Sequence, residues 1–253
     1  RIYPNGSADI NHFVAAGGMA LLIKQLLDAG LLHNDVKTIV GEGLDFYTKE
    51  PVLKDGELEW RDGPTESLDK EVLATVEQPF KPDGGLSVLD GNLGRGVIKT
   101  SALPTPHCTI KAPAVVFEDQ FELDDAFKSG KLDKDCIVVV RFQGPSAIGM
   151  PELHRLTPPL GVLQDRGFKV ALVTDGRMSG ASGKVPAAIH VTPEAYKGGL
   201  LAKVHEGDII ELNTETGALT LHVDEETLAA REAAPASLAK HHVGMGREMF
   251  AGM

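Results

Sequence analysis

The chain has 253 residues, of which 42% are hydrophobic but only 5% aromatic, so one large domain, or one domain and part of another, can bury a mainly aliphatic core. Its formal net charge of −11 argues against nucleic acid as a partner and against adhesion to an anionic membrane surface, since both call for clustered positive charge. With no long apolar span and no signal peptide, the sequence predicts a cytoplasmic protein. An anionic small molecule stays possible, because a few local cations can bind it.

The two cysteines, Cys108 and Cys136, form neither a disulfide framework nor a metal-binding spacing. Cys136 adjoins the apolar run Ile137–Val140 and is predicted to be buried. Cys108 follows His107 in a loop, but such a pair falls short of the three or four ligands that metal sites usually have.

The first third of the chain predicts a helical segment followed by a domain boundary. The chain opens on Arg1, followed by the turn residues Pro4–Gly6, which is typical of the interior of a longer protein. Apolar residues at three-to-four spacing predict a helix over Ser7–Leu32, with close packing or a break at Gly17-Gly18. The polar stretch Glu42–Pro82, interrupted by prolines, predicts the boundary.

After this stretch the chain is predicted to be mainly β with flanking helices, an α+β fold. Eight short apolar runs are each bounded by turn residues: Leu86–Leu89, Val97–Thr100, Ala114–Phe117, Ile137–Arg141, Val170–Thr174, Ala187–Thr192, Asp208–Leu212 and Leu219–Val223. Helical patterns are fewer: Phe121–Lys128, Pro151–Leu163 and Asp224–Glu232. Because strands and helices do not alternate regularly, we predict a closed or nearly closed β-barrel rather than a doubly wound sheet.

The strongest candidate for a functional segment is the loop Asp175–Lys184, which follows the apolar strand Val170–Val173. It contains glycines, two serines and the cations Arg177 and Lys184, so its backbone N–H groups can form an anion-binding nest. An ordinary glycine-rich turn is the structural alternative. The spacing excludes a P-loop and argues against the nucleophile elbow of acyl hydrolases, because the flanking glycines are misplaced for both.

Two further loops are weaker candidates for a functional segment. The segment Arg141–Glu152 again runs from a strand into Gly and Pro residues, and Pro151 can open a helix with Glu152 in its first turn. Taken alone, Glu152 would then merely complement the helix dipole. The turn Gly91–Gly96 is predicted to be a hairpin between two strands.

The run Asp175–Gly180 resembles the signature of the dihydroxy-acid dehydratase and 6-phosphogluconate dehydratase family. The continuation Ala181–His190 is similar to the 6-phosphogluconate branch in particular. Further similarities cover essentially the whole chain, in the segments Tyr3–Asp9, Gly91–Leu93, Gly144–Glu152 and Gly244–Glu248.

This resemblance implies a two-domain enzyme with metal cofactors. Residues 1–60 would be the helical end of a large domain that bears an iron–sulfur cluster, and residues 61–253 a C-terminal β-barrel related to the swivelling domain of aconitase-like enzymes. The cluster ligands would lie upstream, outside this chain, and a Mg²⁺ site would be only partly present. The family also suggests a homodimer.

The implied reaction removes water from 6-phospho-D-gluconate to give 2-keto-3-deoxy-6-phosphogluconate, a step of the Entner–Doudoroff pathway. By resemblance, Ser179 would be the base that takes the C2 proton, and an iron-containing cluster would assist departure of the C3 hydroxyl. Glu152 would be a magnesium ligand. The substrate anions would bind at a group of loop residues: Arg177, Gly180, Ser182 and Lys184.

Two alternatives stay open. The chain could belong to a dihydroxy-acid or sugar-acid dehydratase of the same family, or it could be a barrel that binds a sugar acid without chemistry. An upstream extension with several cysteines would favour a dehydratase over a binding barrel. The isolated chain, lacking the cluster ligands, is expected to be inactive.

Overall fold

The computed structural model describes residues 1–3, 5–178, 183–236, 244–246 and 249. The chain divides into two compact units, residues 1–84 and 85–253. Within the described ranges, no helix is both long enough and apolar enough to cross a membrane. The boundary placed near residue 60 concerns the domains of a longer protein and stays a prediction.

The predicted N-terminal helix is two helices, α1 (Ile10–Ala15) and α2 (Gly18–Asp28). Asp9 caps α1 by accepting hydrogen bonds from two backbone N–H groups of its first turn. The break lies at Gly17, whose φ of 131° is strained for any residue with a Cβ. A Cβ there would also approach within 2.5 Å of Leu21 Cδ2, so the glycine pair marks both a break and a close contact.

The remainder of the first unit is small. Two antiparallel ribbons follow the helices: β1 (Lys37–Thr38) with β2 (Gly41–Glu42), and β3 (Lys49–Lys54) with β4 (Glu57–Asp62). Its buried apolar cluster consists of four residues, Ala16, Leu21, Val72 and Leu73.

The second unit is built on a closed β-barrel, as predicted. Its strands are β5 (Leu86–Gly91), β6 (Gly94–Lys99), β7 (Thr109–Phe117), β8 (Cys136–Val140), β9 (Val170–Thr174), β10 (Ala187–Thr192), β11 (Ile209–Asn213) and β12 (Ala218–Leu221). They close in the order β10-β6-β5-β12-β11-β7-β8-β9. Each predicted apolar run overlaps one of these strands, and the predicted hairpin joins β5 to β6, so the mainly β class with flanking helices is confirmed.

Short helices flank the barrel, and two of them pack on the outer face of its parallel strands. The helices of this unit are α3 (Gln120–Lys128), α4 (Pro145–Ile148), α5 (Thr157–Asp165) and α6 (Glu225–Ala230). The strands β7 and β8 are parallel neighbours, and so are β8 and β9. Because parallel neighbours need a long crossover connection, helices fit between them: α3 between β7 and β8, and α4 and α5 between β8 and β9.

The strands β8 and β9 are buried on both faces, which explains why they are continuous apolar runs. Ile137 and Val139 of β8 belong to the cluster that fills the barrel. Val138 and Val140 belong to a second cluster, which also includes Leu160 of α5. Because the two strands are parallel neighbours, their carboxyl ends lie side by side at one end of the barrel, and so do the loops that follow them.

One helix differs from the prediction. It was expected from Pro151 but begins at Thr157. Gly149 and Met150 adopt left-handed conformations, with φ of 70° and 51°, which end α4 and direct the chain into a loop. Glu152 therefore lies in that loop and not in the first turn of a helix, so the interpretation of Glu152 as a helix-dipole partner is wrong.

Candidate active site

The loops after β8 and β9 are joined by an ion pair between Arg177 and Glu152. Arg177 Nη1 lies 3.0 Å from Glu152 Oε2, and Arg177 Nε donates to the carbonyl oxygen of Met150 at 2.9 Å. The backbones also pair, because Glu152 and Arg177 form a parallel β-bridge in which Leu153 N donates to Arg177 O. The two side chains are 49% and 31% exposed, so both charged groups are accessible to a bound molecule.

Close packing at Gly176 sets the geometry of this junction. A Cβ at this position would lie 2.7 Å from Gln143 Cβ and 2.7 Å from Leu153 Cδ1. A side chain would therefore push the two loops apart. Gly176 N also donates to Thr174 Oγ1 at 3.0 Å, which turns the chain at the end of β9. The glycine between the acid and the arginine is thus required by the close approach of the loops.

Asp175, the first residue after β9, is a buried carboxylate that joins three segments. One carboxylate oxygen accepts from Gln143 N at 2.9 Å and the other from Ala195 N at 2.9 Å. Burial, with a smaller contribution from the nearby Glu194, raises the pKa of Asp175 to about 6 against the opposing effect of the backbone N–H donors. Only 2% of Asp175 is exposed, so it supports the loops and does not itself face a ligand.

Glu194 provides a comparable support for α4. Its carboxylate accepts from Ser146 N at 3.1 Å and Ala147 N at 3.3 Å, the orphan donors at the start of that helix. The N-cap residue Gly144 has no side chain to do this, and a Cβ there would lie 2.1 Å from a Glu194 carboxylate oxygen. A carboxylate distant in sequence thus supplies the helix cap.

Sequence reasoning assigned no role to Asp175 or Glu194. For Asp175 a signal existed, because a carboxylate so close to the apolar run Val170–Val173 is expected to be either a ligand or a partner of buried donors. For Glu194 there was none, since only the fold brings it to α4.

The other predicted site residues are distributed differently. Ser179, Gly180 and Ser182 lie outside the described residues, so their predicted roles stay predictions. Lys184 Nζ pairs with Asp165 Oδ1 at 2.6 Å, close to the start of β9. Arg177 follows the end of that strand, and a strand of this length spans about 16 Å. Lys184 therefore does not join Arg177 at the loop edge, and its role in substrate binding is untested.

The described cysteines do not fit an iron–sulfur cluster. Cys136 is buried in β8, and burial raises the pKa of its thiol to about 11, which opposes the thiolate that iron requires. Cys108 is half-buried, with its sulfur 3.9 Å from the carbonyl oxygen of Pro104. Nowhere in the part of the chain that the structure describes do three or more His, Cys, Asp or Glu side chains group as metal ligands. Glu152 fits as one oxygen ligand of a magnesium ion, but not as a complete site.

Comparisons with known proteins match the chain to two family models and to curated enzymes. Residues 71–252 match the family model for the C-terminal domain of dihydroxy-acid/6-phosphogluconate dehydratases, and residues 1–47 match the model for the N-terminal domain. Phosphogluconate dehydratase of Escherichia coli K12 is 64% identical over 253 residues, which is 100% of this chain and 42% of that protein. The Pseudomonas aeruginosa phosphogluconate dehydratase is 59% identical over the same 253 residues, 41% of its length.

A relative from the other branch is less similar. Dihydroxy-acid dehydratase of Caldanaerobacter subterraneus is 34% identical over 237 residues, which is 92% of this chain and 40% of that protein. The chain therefore spans about two fifths of the length of these curated relatives. The match to the C-terminal model covers most of the chain, and the chain belongs to the dihydroxy-acid/6-phosphogluconate dehydratase family.

Proposed function

We propose that this chain is the C-terminal part of a hydro-lyase that converts 6-phospho-D-gluconate to 2-keto-3-deoxy-6-phosphogluconate and water. The observation that carries the proposal is the contrast in similarity across the whole chain. Identity to phosphogluconate dehydratase reaches 64%, whereas identity to dihydroxy-acid dehydratase is 34%. A barrel that only binds a sugar acid is less well supported, because the chain retains the Asp175–Gly180 signature and Glu152 together.

Arg177 is the residue we assign to an anionic group of the substrate. Its half-exposed guanidinium lies beyond the end of β9 and provides a local positive charge in a chain whose net charge is −11. Its pairing with Glu152 is half exposed and therefore weak in water. A substrate carboxylate or phosphate can replace Glu152 as the partner of the guanidinium at small cost, with bidentate geometry.

Ser179 is the residue we assign as the base. It takes the proton from C2, and the electrons of that bond form the C2–C3 double bond as the C3–oxygen bond breaks. The departing hydroxide takes a proton equivalent to the one removed from C2 and leaves as water, which returns Ser179 to its alkoxide form, and the enol then tautomerises to the ketone. A serine hydroxyl is a poor base, so the loop must stabilise an alkoxide, for which backbone N–H groups and the charge of Arg177 are suitable.

Metal cofactors would come mainly from the upstream part of the longer protein. When bound, magnesium and an iron–sulfur cluster would supply positive charge for the substrate and the departing hydroxyl. Of these groups, the described part of this chain would contribute one magnesium ligand, Glu152. We further propose that the barrel corresponds to the swivelling domain of aconitase-like enzymes, and that the full-length enzyme is a cytoplasmic homodimer.

Substrate selectivity of the full-length protein tests the proposal. We expect kcat/KM for 6-phosphogluconate to exceed that for 2,3-dihydroxy-3-methylbutanoate, and that for unphosphorylated gluconate, by at least about 100-fold. Both alternative substrates lack the phosphate group, so the charged groups of the site that would bind it are left without a partner. The measurement is formation of the 2-keto product. Preference for the branched dihydroxy acid would move the chain to the other branch, and binding without product would favour the binding barrel.

A further inference from the structure

We infer that Asp175 and Glu194 are positioning residues. They hold the loop after β8 so that Arg177 and Glu152 form their ion pair at the end of the barrel. The inference rests on the proposed function for its catalytic consequence. Its basis is a juxtaposition that the sequence does not show. Two carboxylates from different parts of the chain bind four backbone N–H groups, those of Gln143, Ser146, Ala147 and Ala195.

The loop they hold has a backbone that needs external support. Phe142 and Met150, at its two ends, adopt left-handed conformations with φ of 60° and 51°, which residues with a side chain rarely adopt. Such conformations persist only where surrounding contacts over-determine them. The short helix α4 between them starts without a side-chain cap of its own. Asp175 supplies a contact at Gln143, directly after Phe142, and Glu194 supplies the cap that α4 lacks.

The support reaches the ion pair through direct contacts. Met150 provides the carbonyl oxygen that accepts from Arg177 Nε. Gly176 packs against Gln143, whose backbone N–H is held by Asp175. If the loop moves, the Met150 carbonyl moves with it, and the guanidinium loses the contact that fixes its plane. The two carboxylates therefore act on Arg177 without touching a ligand.

Carboxamide variants are the sharpest test, because all four hydrogen bonds come from backbone N–H groups. An asparagine or glutamine keeps the size of the side chain but places an NH₂ group against one of the N–H donors. We expect Glu194→Gln and Asp175→Asn in the full-length protein to lower kcat/KM for 6-phosphogluconate by about 10- to 100-fold. The main change should be in the Arg177-dependent binding of substrate, seen as a raised KM.

Asp208→Asn is the matched control. Asp208 is also a largely buried carboxylate that accepts a backbone N–H, that of His205, and it pairs with Arg231 ahead of β11. We expect this variant to lose thermal stability yet keep kcat/KM within about threefold below its melting temperature. If the control loses as much activity as the carboxamide variants, or if these stay within threefold of the parent, the positioning role is refuted.

Amide hydrogen exchange in the 253-residue chain gives a second readout that needs no activity. In Glu194→Gln, the one of the two amides, Ser146 or Ala147, that faces the NH₂ group should exchange at least about tenfold faster, while those of β11 remain protected. Unchanged protection of these two amides would overturn the inference even if activity fell. Absence of dehydratase activity in the parent enzyme would instead refute the proposed function and leave this measurement valid. In Glu194→Ala, which removes both acceptors, the amides of Ser146 and Ala147 should both exchange faster than in the parent chain.

Discussion

Replacing Ser179 with alanine in the full-length protein is expected to lower kcat by about 10²- to 10⁴-fold, the range typical for loss of a general base. Substrate binding should be retained, because alanine removes only the hydroxyl and leaves the backbone N–H groups and the charge of Arg177 in place. The measurements are steady-state kinetics with 6-phosphogluconate and direct titration of the substrate. KM should change little if the hydroxyl acts mainly in the transition state.

Ser129→Ala is the control for this variant. The Ser129 hydroxyl donates to Ala126 O at 3.0 Å at the end of α3 and has no part in the proposed chemistry. Its removal should leave kcat within about twofold of the parent, since substitutions away from a site usually have small effects. Near-normal turnover in Ser179→Ala would assign the base to another residue. An equal loss in both variants would point to a general effect of removing hydroxyl groups.

The second large effect is expected for the 253-residue chain alone, which should dehydrate no 6-phosphogluconate and should show no cluster absorbance after anaerobic treatment with iron and sulfide. Protein iron–sulfur clusters are usually held by several cysteine thiolates. The chain has two cysteines, and burial raises the pKa of Cys136 to about 11. Glu152 by itself binds a hard dication weakly.

The full-length protein, treated in the same way, is the control for the isolated chain. It should develop broad visible absorbance and gain activity. Visible absorbance or measurable turnover from the isolated chain would contradict the assignment of the cluster ligands to the upstream part. It would also require ligands that the described residues do not offer.

The strands of the barrel could be predicted because each is a short apolar run between turn residues. The two runs Ile137–Val140 and Val170–Val173 are apolar without alternation, which is now explained by burial on both faces. The order of closure could not be predicted, because pairing of β12 with β5 or of β10 with β6 depends on contacts far apart in sequence. The helix predicted to begin at Pro151 begins at Thr157 instead. The preference of proline for the first turn of a helix was outweighed by the backbone pairing of this loop with Arg177.

The candidate site could be predicted only in part. Arg177 and Glu152 were each selected from sequence, but their ion pair was not, since only the parallel arrangement of β8 and β9 brings them together. Lys184 was grouped with Arg177 because the two are close in sequence, but its ammonium group pairs with Asp165 at the end of α5, whereas Arg177 pairs with Glu152. The sequence did not show these different partners, and the role of Lys184 in substrate binding stays a prediction.

The most direct test of the central claim is the reaction of the full-length protein with 6-phosphogluconate in D₂O, followed by NMR of the product at early times. If a base removes the C2 proton and the resulting enol tautomerises, the 2-keto-3-deoxy product must take one hydrogen from solvent at C3. We predict a single deuterium at C3, with the isolated product incubated alongside to measure background exchange. Unchanged substrate, or a 2-keto-3-deoxy product without deuterium at C3, would contradict the account.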